Sequence, residues 1–188
     1  QNEFKLPSWL HDDYTYLNDI ENNSELEQSP MEANSQSYER GKIIHHLLEY
    51  ISYFDIQNFE NKAQEFLTKQ GLTEEDATTI LSKITKLLEN ANFAKIFSPQ
   101  ALIEAPIYLK DDAGNLQLRR LDRVLVTDEE VLILDYKTNR IAPQNLNNLP
   151  ATYVKQMREY KDIMAKIYPN KKIRGIILFI ESMSHFEI

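Results

Sequence analysis

The sequence predicts an α/β domain in which helices come first, then a meander of three strands, then one more helix and a closing strand. Three observations carry this. From Tyr38 the apolar residues recur with a helical period. Between residues 101 and 138 the pattern changes to strand-length apolar runs separated by turn residues. After an Asn/Pro-rich loop at 139–150 the helical period returns, ahead of a last apolar run.

The elements follow in order. "YERGKIIHHLLEYI" places apolar residues at 43, 44, 47, 48 and 51, one stripe of an amphipathic helix. Residues 58–69 read as a second helix. "TEEDATTILSKITKLLENANF" opens on Thr73, an N-cap followed by three acids in the first turn, and its stripe runs Ile80, Leu81, Ile84, Leu87 and Leu88. "ALIEAPIYL" (101–109) and "LQLRRLDRVLV" (116–126) read as strands joined by the hairpin connection "DDAGN", and "TDEE" leads into "EVLILDYKT" (130–138). "ATYVKQMREYKDIMAKIY" is a helix ended by Pro169, and "KIRGIILFIE" (172–181) is the closing strand. Residues 1–37, rich in Asn, Ser, Glu and Gln, read as an acidic, mostly irregular linker ahead of a domain spanning 38–188. Within it "LPSWL" (6–10) sets the lone Trp beside two Leu and is expected to dock on a neighbour. The chain does not begin with Met, which suggests a piece of a longer protein.

Composition narrows the function. With 42% hydrophobic residues the 188-residue chain can bury a core, and it holds no apolar run long enough for a membrane span. No signal peptide is visible, so the expected location is cytoplasmic. The absence of Cys removes disulfides, thiolate zinc sites and Cys-held iron–sulfur clusters. The net charge of −8 resides in residues 1–39, where nine acids face only Lys5, and the remainder balances. From Lys155 to Arg174 seven bases face Glu159 and Asp162, either a solvated helix face or a phosphate-facing stripe.

The chemistry gathers around "LILDYKTNR" (132–140). A strand alternates its side chains, so Asp135 and Lys137 share one face while Tyr136 points the other way. Asp122 ends the adjacent antiparallel strand, and two carboxylates converging with a Lys make a hard-cation site suited to Mg²⁺ and phosphodiester hydrolysis. The same residues can instead form ion pairs, Asp135 with Lys137 and Asp122 with Arg120 or Arg123. Glu104 lies in the first strand of the meander, near enough to join the acids or to stand as a surface Glu. His45 shares a helix face with Gly41 and Glu49 and is either a further ligand, better suited to Mn²⁺, or a packing residue. Tyr153, Gln156 and Tyr160 share a face of the last helix, flanked by Lys155 and Arg158, where they can bond a phosphate or fill the core.

Taken together, Gly41-x-x-x-His45, Glu104-Ala-Pro106, Leu121-Asp122-Arg123, Asp135-Tyr136-Lys137-Thr138 and Gln156-x-x-x-Tyr160 occur in an order that resembles the RecB-type nuclease domain of the PD-(D/E)XK superfamily. The resemblance covers about residues 38–181 and is closest to the C-terminal domain of the AddA family of helicase–nucleases, in its alphaproteobacterial form. It implies a restriction-endonuclease-like core, a mixed sheet flanked by helices with an N-terminal helical part. It implies Mg²⁺, or Mn²⁺, on His45, Asp122, Asp135 and the Tyr136 backbone carbonyl, with Lys137 as the catalytic Lys and Glu104 among the acids. Gln156 and Tyr160 complete the motif on the helix. Family members usually carry Gly where this chain has Arg119, which either crowds the DNA backbone or contacts a phosphate.

The absence of Cys separates the chain from its iron–sulfur relatives, so no cluster is expected. No G-x-x-x-x-G-K-[ST] is present, so ATP hydrolysis is left to a parent chain in which residues 1–37 would be the tether. The expected substrate is single-stranded DNA delivered by that helicase, and the expected partner is a second, AddB-like subunit. The alternative is a module of the same fold that binds DNA or a partner subunit without cutting.

Overall fold

The computed structural model describes residues 31–51, 59–110, 114–139 and 141–188. Helix α1 (Met31–Tyr50) precedes α2 (Phe59–Lys69), α3 (Glu74–Glu89) and the short α4 (Ala91–Ala94). Strands β1 (Leu102–Lys110), β2 (Leu116–Val126) and β3 (Glu130–Lys137) follow, then α5 (Ala151–Ile167), β4 (Lys172–Phe179) and β5 (Ser184–Glu187). The strands form one sheet in sequence order. Only the β3–β4 pairing is parallel, because α5 crosses between them; the other pairings are antiparallel, which makes the sheet mixed.

Period-two alternation splits the sheet's side chains between two cores. On one face Leu125, Leu132, Leu134, Tyr136, Ile176 and Leu178 pack beneath α1–α4. On the other, Val124, Val131, Ile133, Ile177 and Phe179 pack under α5 through Met157, Tyr160 and Met164. β3 is buried on both faces, as a central strand bordered by a parallel neighbour should be.

Two glycines set the spacing of the layers. A Cβ on Gly41 would lie 2.6 Å from Thr138 Oγ1, so the glycine lets α1 pass directly over the end of β3. A Cβ on Gly175 would overlap the Met157 sulfur, so the missing side chain brings α5 down onto β4. Arg123 is fully buried between the helices and the sheet. Its guanidinium donates to the carbonyls of Leu48 and Ile96 and lies 4.6 Å from the centre of the Phe97 ring. The carbonyl ends of the helical layer therefore take up a cation that would otherwise be costly to bury.

Three differences from the sequence reading have physical causes. α1 begins at Met31 rather than Tyr38, because "MEANSQS" has no apolar stripe to announce it. α3 stops at Glu89, where Asn90 takes an extended conformation (φ −74°, ψ 116°), and α4 restarts the chain. β5 is four residues that pair only with β4, too short for a periodic signal. Residues 1–30, with "LPSWL", and the hairpin tip 111–113 lie outside the described residues.

Candidate active site

The sheet is distorted where β1 meets β2. The ladder pairs Ile103 with Arg123 and Ala105 with Leu121 but skips the position between, where Glu104 and Asp122 would meet. Glu104 has a φ of 49°, a left-handed conformation that a non-glycine residue rarely adopts. In β2, Leu121 and Val124 both enter the α5-side core although they are three residues apart, so the alternation slips between them. Both acids are thereby turned toward one point, and backbone strain of this kind concentrates at functional sites.

α1 supplies the third group at that point. Ligand atoms of His45, Glu104 and Asp122 all lie within 4.8 Å of one another. His45 Nε2 is 3.3 Å from Asp122 Oδ1, and its Nδ1 is 2.9 Å from Glu49 Oε1. The Tyr136 ring meets the imidazole edge-on with centroids 5.4 Å apart and is itself stacked on Phe97. The second oxygen of Asp122 accepts a 2.7 Å hydrogen bond from the backbone N–H of Tyr136. Asp122 is thus fixed at both ends, by a helix and by the neighbouring strand.

A second group of residues lies on the α5 side. Lys137 Nζ is 2.9 Å from Asp135 Oδ2, donates to Gln156 Oε1 at 3.2 Å, and sits 4.4 Å from the centre of the Tyr153 ring. Gln156 Nε2 donates to the Tyr160 hydroxyl, and that hydroxyl donates to the Arg120 carbonyl. Tyr153 donates to Asn139 Oδ1 at 3.2 Å. The expected face of α5 therefore holds the lysine in place from above.

The charges follow from burial and pairing. Burial opposes the charged form of His45, but Asp122 and Glu49 on either side outweigh it and raise the pKa well above the usual imidazole value. Burial also works against Glu49, yet hydrogen bonds from His45 and His46 bring its carboxyl down to about 2. Glu104 goes the other way: burial, followed by the charge of Asp122, pushes it up to about 8. Burial raises Asp135 as well. Lys137 is raised against its own burial by the carboxylates of Asp135 and Asp122, which keeps it an ammonium.

The structure brings together most of the residues singled out from the sequence. His45, Glu104 and Asp122 form one cluster; Asp135, Lys137, Gln156 and Tyr160 form the group beside it. Asp135 lies outside the three-residue cluster, its carboxylate turned to Lys137. Arg119 points to the α5 side, where Nη2 donates to Gln117 Oε1 at 2.7 Å. Lys155 and Arg158 are exposed on the outer side of α5, beside a shallow groove bordered by Leu146 and Leu149. Of the basic run they begin, Lys161 donates to the Ile188 carbonyl, Lys171 to the carbonyls of Thr127 and Asp128, and Arg174 pairs with Glu187 and Glu130. These bases tie loops and strand ends together and do not form a single phosphate-facing stripe. Glu49 is the supporting residue to which the sequence reading gave no role. Its signal was present as a carboxylate four residues after His45 and three after His46, within reach on one helix face.

Comparison with known proteins bears on the fold and the family. Residues 14–186 match the PD-(D/E)XK nuclease superfamily, whose restriction-endonuclease-like core the mixed sheet and flanking helices fit. The chain is similar to an ATP-dependent helicase/nuclease subunit of Clostridioides difficile, 24% identical over 155 residues, which is 67% of this chain and 12% of that protein. It is also similar to the protein of the same description from Clostridium acetobutylicum, 20% identical over 164 residues, 76% of this chain and 13% of that one. The chain thus spans about an eighth of the length of these curated relatives. A solved structure, "Crystal structure of SSO0001", overlaps 77% of this chain and 65% of its own at 14% identity, with a TM-score of 0.30, too low to inform the fold. With the family match covering nearly the whole chain, the chain belongs to the PD-(D/E)XK nuclease superfamily.

Proposed function

We propose that this chain is a divalent-metal-dependent nuclease domain that hydrolyses phosphodiester bonds, mainly of single-stranded DNA, with exonuclease-type action. The observation that carries it is the convergence of His45, Glu104 and Asp122 within 4.8 Å beside the Asp135–Lys137 pair. The donor set suits a hard cation: two carboxylates and one imidazole favour Mg²⁺, with Mn²⁺ as the alternative. Glu104 Oε1 supports the fit, being a buried oxygen with no hydrogen-bond partner among the described residues. His45, Glu104 and Asp122 would hold the ion, with Asp135 and the Tyr136 carbonyl as further ligands. When bound, a divalent cation supplies Lewis-acid stabilisation of charge on a phosphoryl oxygen.

The chain's own residues then have distinct tasks. Glu49 accepts from His45 Nδ1 and so leaves Nε2, the nitrogen on the Asp122 side, for ligation. Lys137, held as an ammonium by Asp135 and Gln156, donates to the attacking water and to the phosphate oxygens. The water oxygen bonds to phosphorus as the bond to the leaving sugar oxygen breaks; the water gives up a proton and the leaving oxygen takes one. A single in-line step of this kind inverts the phosphate. Arg119, and further out Lys155 and Arg158, would contact flanking phosphates.

The parent assembly belongs to the same proposal. Similarity to helicase/nuclease subunits supports a role beside a helicase in recombinational repair of double-strand breaks, where the partner would be a second, AddB-like subunit. The rival reading, a module that binds without cutting, rests on Arg119 in the usual glycine position. Against it, the Arg119 guanidinium is engaged by Gln117 and leaves Asp122 with its own partners.

The test is cleavage of end-labelled single- and double-stranded DNA with Mg²⁺, Mn²⁺ or EDTA, beside Asp135→Ala and Lys137→Ala. Metal-dependent cutting, faster on single strands and lost in both variants, is expected. DNA binding without cutting under every metal condition would favour the non-cutting module.

A further inference from the structure

Among the described residues nothing covers one face of the β1–β2 hairpin, which leads away from the acid cluster. Register places Pro106 opposite Arg120, Tyr108 opposite Leu118 and Lys110 opposite Leu116, so these six side chains share one face of the sheet. Ile107 and Leu109, which alternate with them, turn into the α5-side core. Tyr108 is 66% exposed, Leu116 65% and Leu118 37%, an unusual concentration of large apolar groups in solvent.

Position and charge indicate what covers this face. Glu104 lies on the same side of β1, two alternations before Tyr108, or about 13 Å along a strand. Arg120 is near enough to Glu104 to act on its carboxyl. Between Pro106 and Lys110 and on the paired residues of β2, this face carries Arg120 and Lys110 and no acid. In the sequence two acids, Asp111 and Asp112, follow Lys110.

We propose that this face is a track for a few nucleotides of the single strand, with a base stacked on Tyr108 against Leu118 and phosphates met by Arg120 and Lys110. An aromatic ring among basic residues suits single strands because every base offers a π-face, whereas paired bases in a duplex do not. A protein partner would not require the two bases to line the route to the acids. The inference rests on the nuclease reading and supplies what that reading lacks, a reason for the single-strand preference.

The experiment uses the 188-residue chain and oligo(dT) carrying 2-aminopurine, with anisotropy for affinity and 2-aminopurine fluorescence for stacking, in EDTA so that nothing is cut. Tyr108→Ala is expected to weaken binding by about fivefold or more and to relieve the quenching, whereas Tyr108→Phe retains both. Lys110→Gln is expected to lower the salt dependence of binding. With Mn²⁺, hydrolysis of bis(p-nitrophenyl) phosphate, too small to reach the track, should be equal in wild type and Tyr108→Ala. Unchanged oligonucleotide affinity and quenching in Tyr108→Ala would overturn the track and leave this face to a protein partner. Failure of the wild type to bind oligo(dT) would overturn it as well. Loss of binding in Tyr108→Ala with no hydrolysis by the wild type would sustain the track while defeating the nuclease reading.

Discussion

Asp122 uses one oxygen on His45 and the other on the Tyr136 amide, so the carboxylate is oriented before any ligand arrives. Its neighbours set the proton balance. Glu104 is pushed up to about 8 and His45 well above its usual value, so without a cation both groups hold protons near neutrality. A cation must displace them. Mn²⁺ affinity, measured by calorimetry, should therefore rise with pH up to about 8, with proton release visible as a dependence on buffer ionisation enthalpy. The same shift affects stability. A carboxyl whose folded pKa exceeds its unfolded one loses stability as pH rises from the unfolded to the folded value, here from 4.5 to about 8. In EDTA at high pH, Glu104→Gln should melt higher than the wild type, by roughly 2–4 °C for each kcal/mol recovered. It should also lose most of the Mn²⁺-induced rise in Tm. The common face of Asp135 and Lys137 was legible because strand alternation alone places them together. The inward turn of Glu104 was not, because it depends on a left-handed residue opposite a slip in β2, and neither leaves a mark in the apolar pattern.

At the scale of elements, the site depends on how closely α1 lies over β3. Gly41 sits against Thr138, one helical turn before His45, so the contact that seats the helix also aims the imidazole. Gly41→Ala places a methyl 2.6 Å from Thr138 Oγ1 and should cost about 1–3 kcal/mol, visible as a lower Tm, together with weaker Mn²⁺ binding. Thr138→Ala in the same chain should restore much of both, because the clash is chiefly with the hydroxyl. Strands β1–β4 and helices α2, α3 and α5 could be read from periodicity, N-capping at Thr73 and the stop at Pro169, with ends within a residue or two except at the end of α3, which was read through Phe93 and stops at Glu89. What escaped were elements without a period of their own, such as the four residues of β5, which form a strand only because β4 offers an edge.

For the whole molecule, the relevant charge is local. The formal −8 resides in residues 1–39, while in the basic run of the last helix and strand Lys161, Lys171 and Arg174 are taken up by internal ties and Lys155, Arg158, Lys166 and Lys172 are exposed. Binding of single-stranded DNA should therefore weaken with salt in proportion to the phosphates these remaining bases meet. Six proposed contacts, from Lys110, Arg119, Arg120, Lys137, Lys155 and Arg158, correspond to a slope of about −4 in log K against log salt. A titration series in NaCl checks this. Among the described residues no helix is long and apolar enough to cross a membrane. The central claim is that cutting depends on an ion held by Asp122 and its neighbours. Its most direct test is to follow Mn²⁺ binding and single-strand cleavage in the same samples of wild type and Asp122→Asn. The account predicts that the wild-type rate follows Mn²⁺ occupancy and that the variant loses both. Cleavage that persists in EDTA, or in Asp122→Asn with no ion bound, would contradict it.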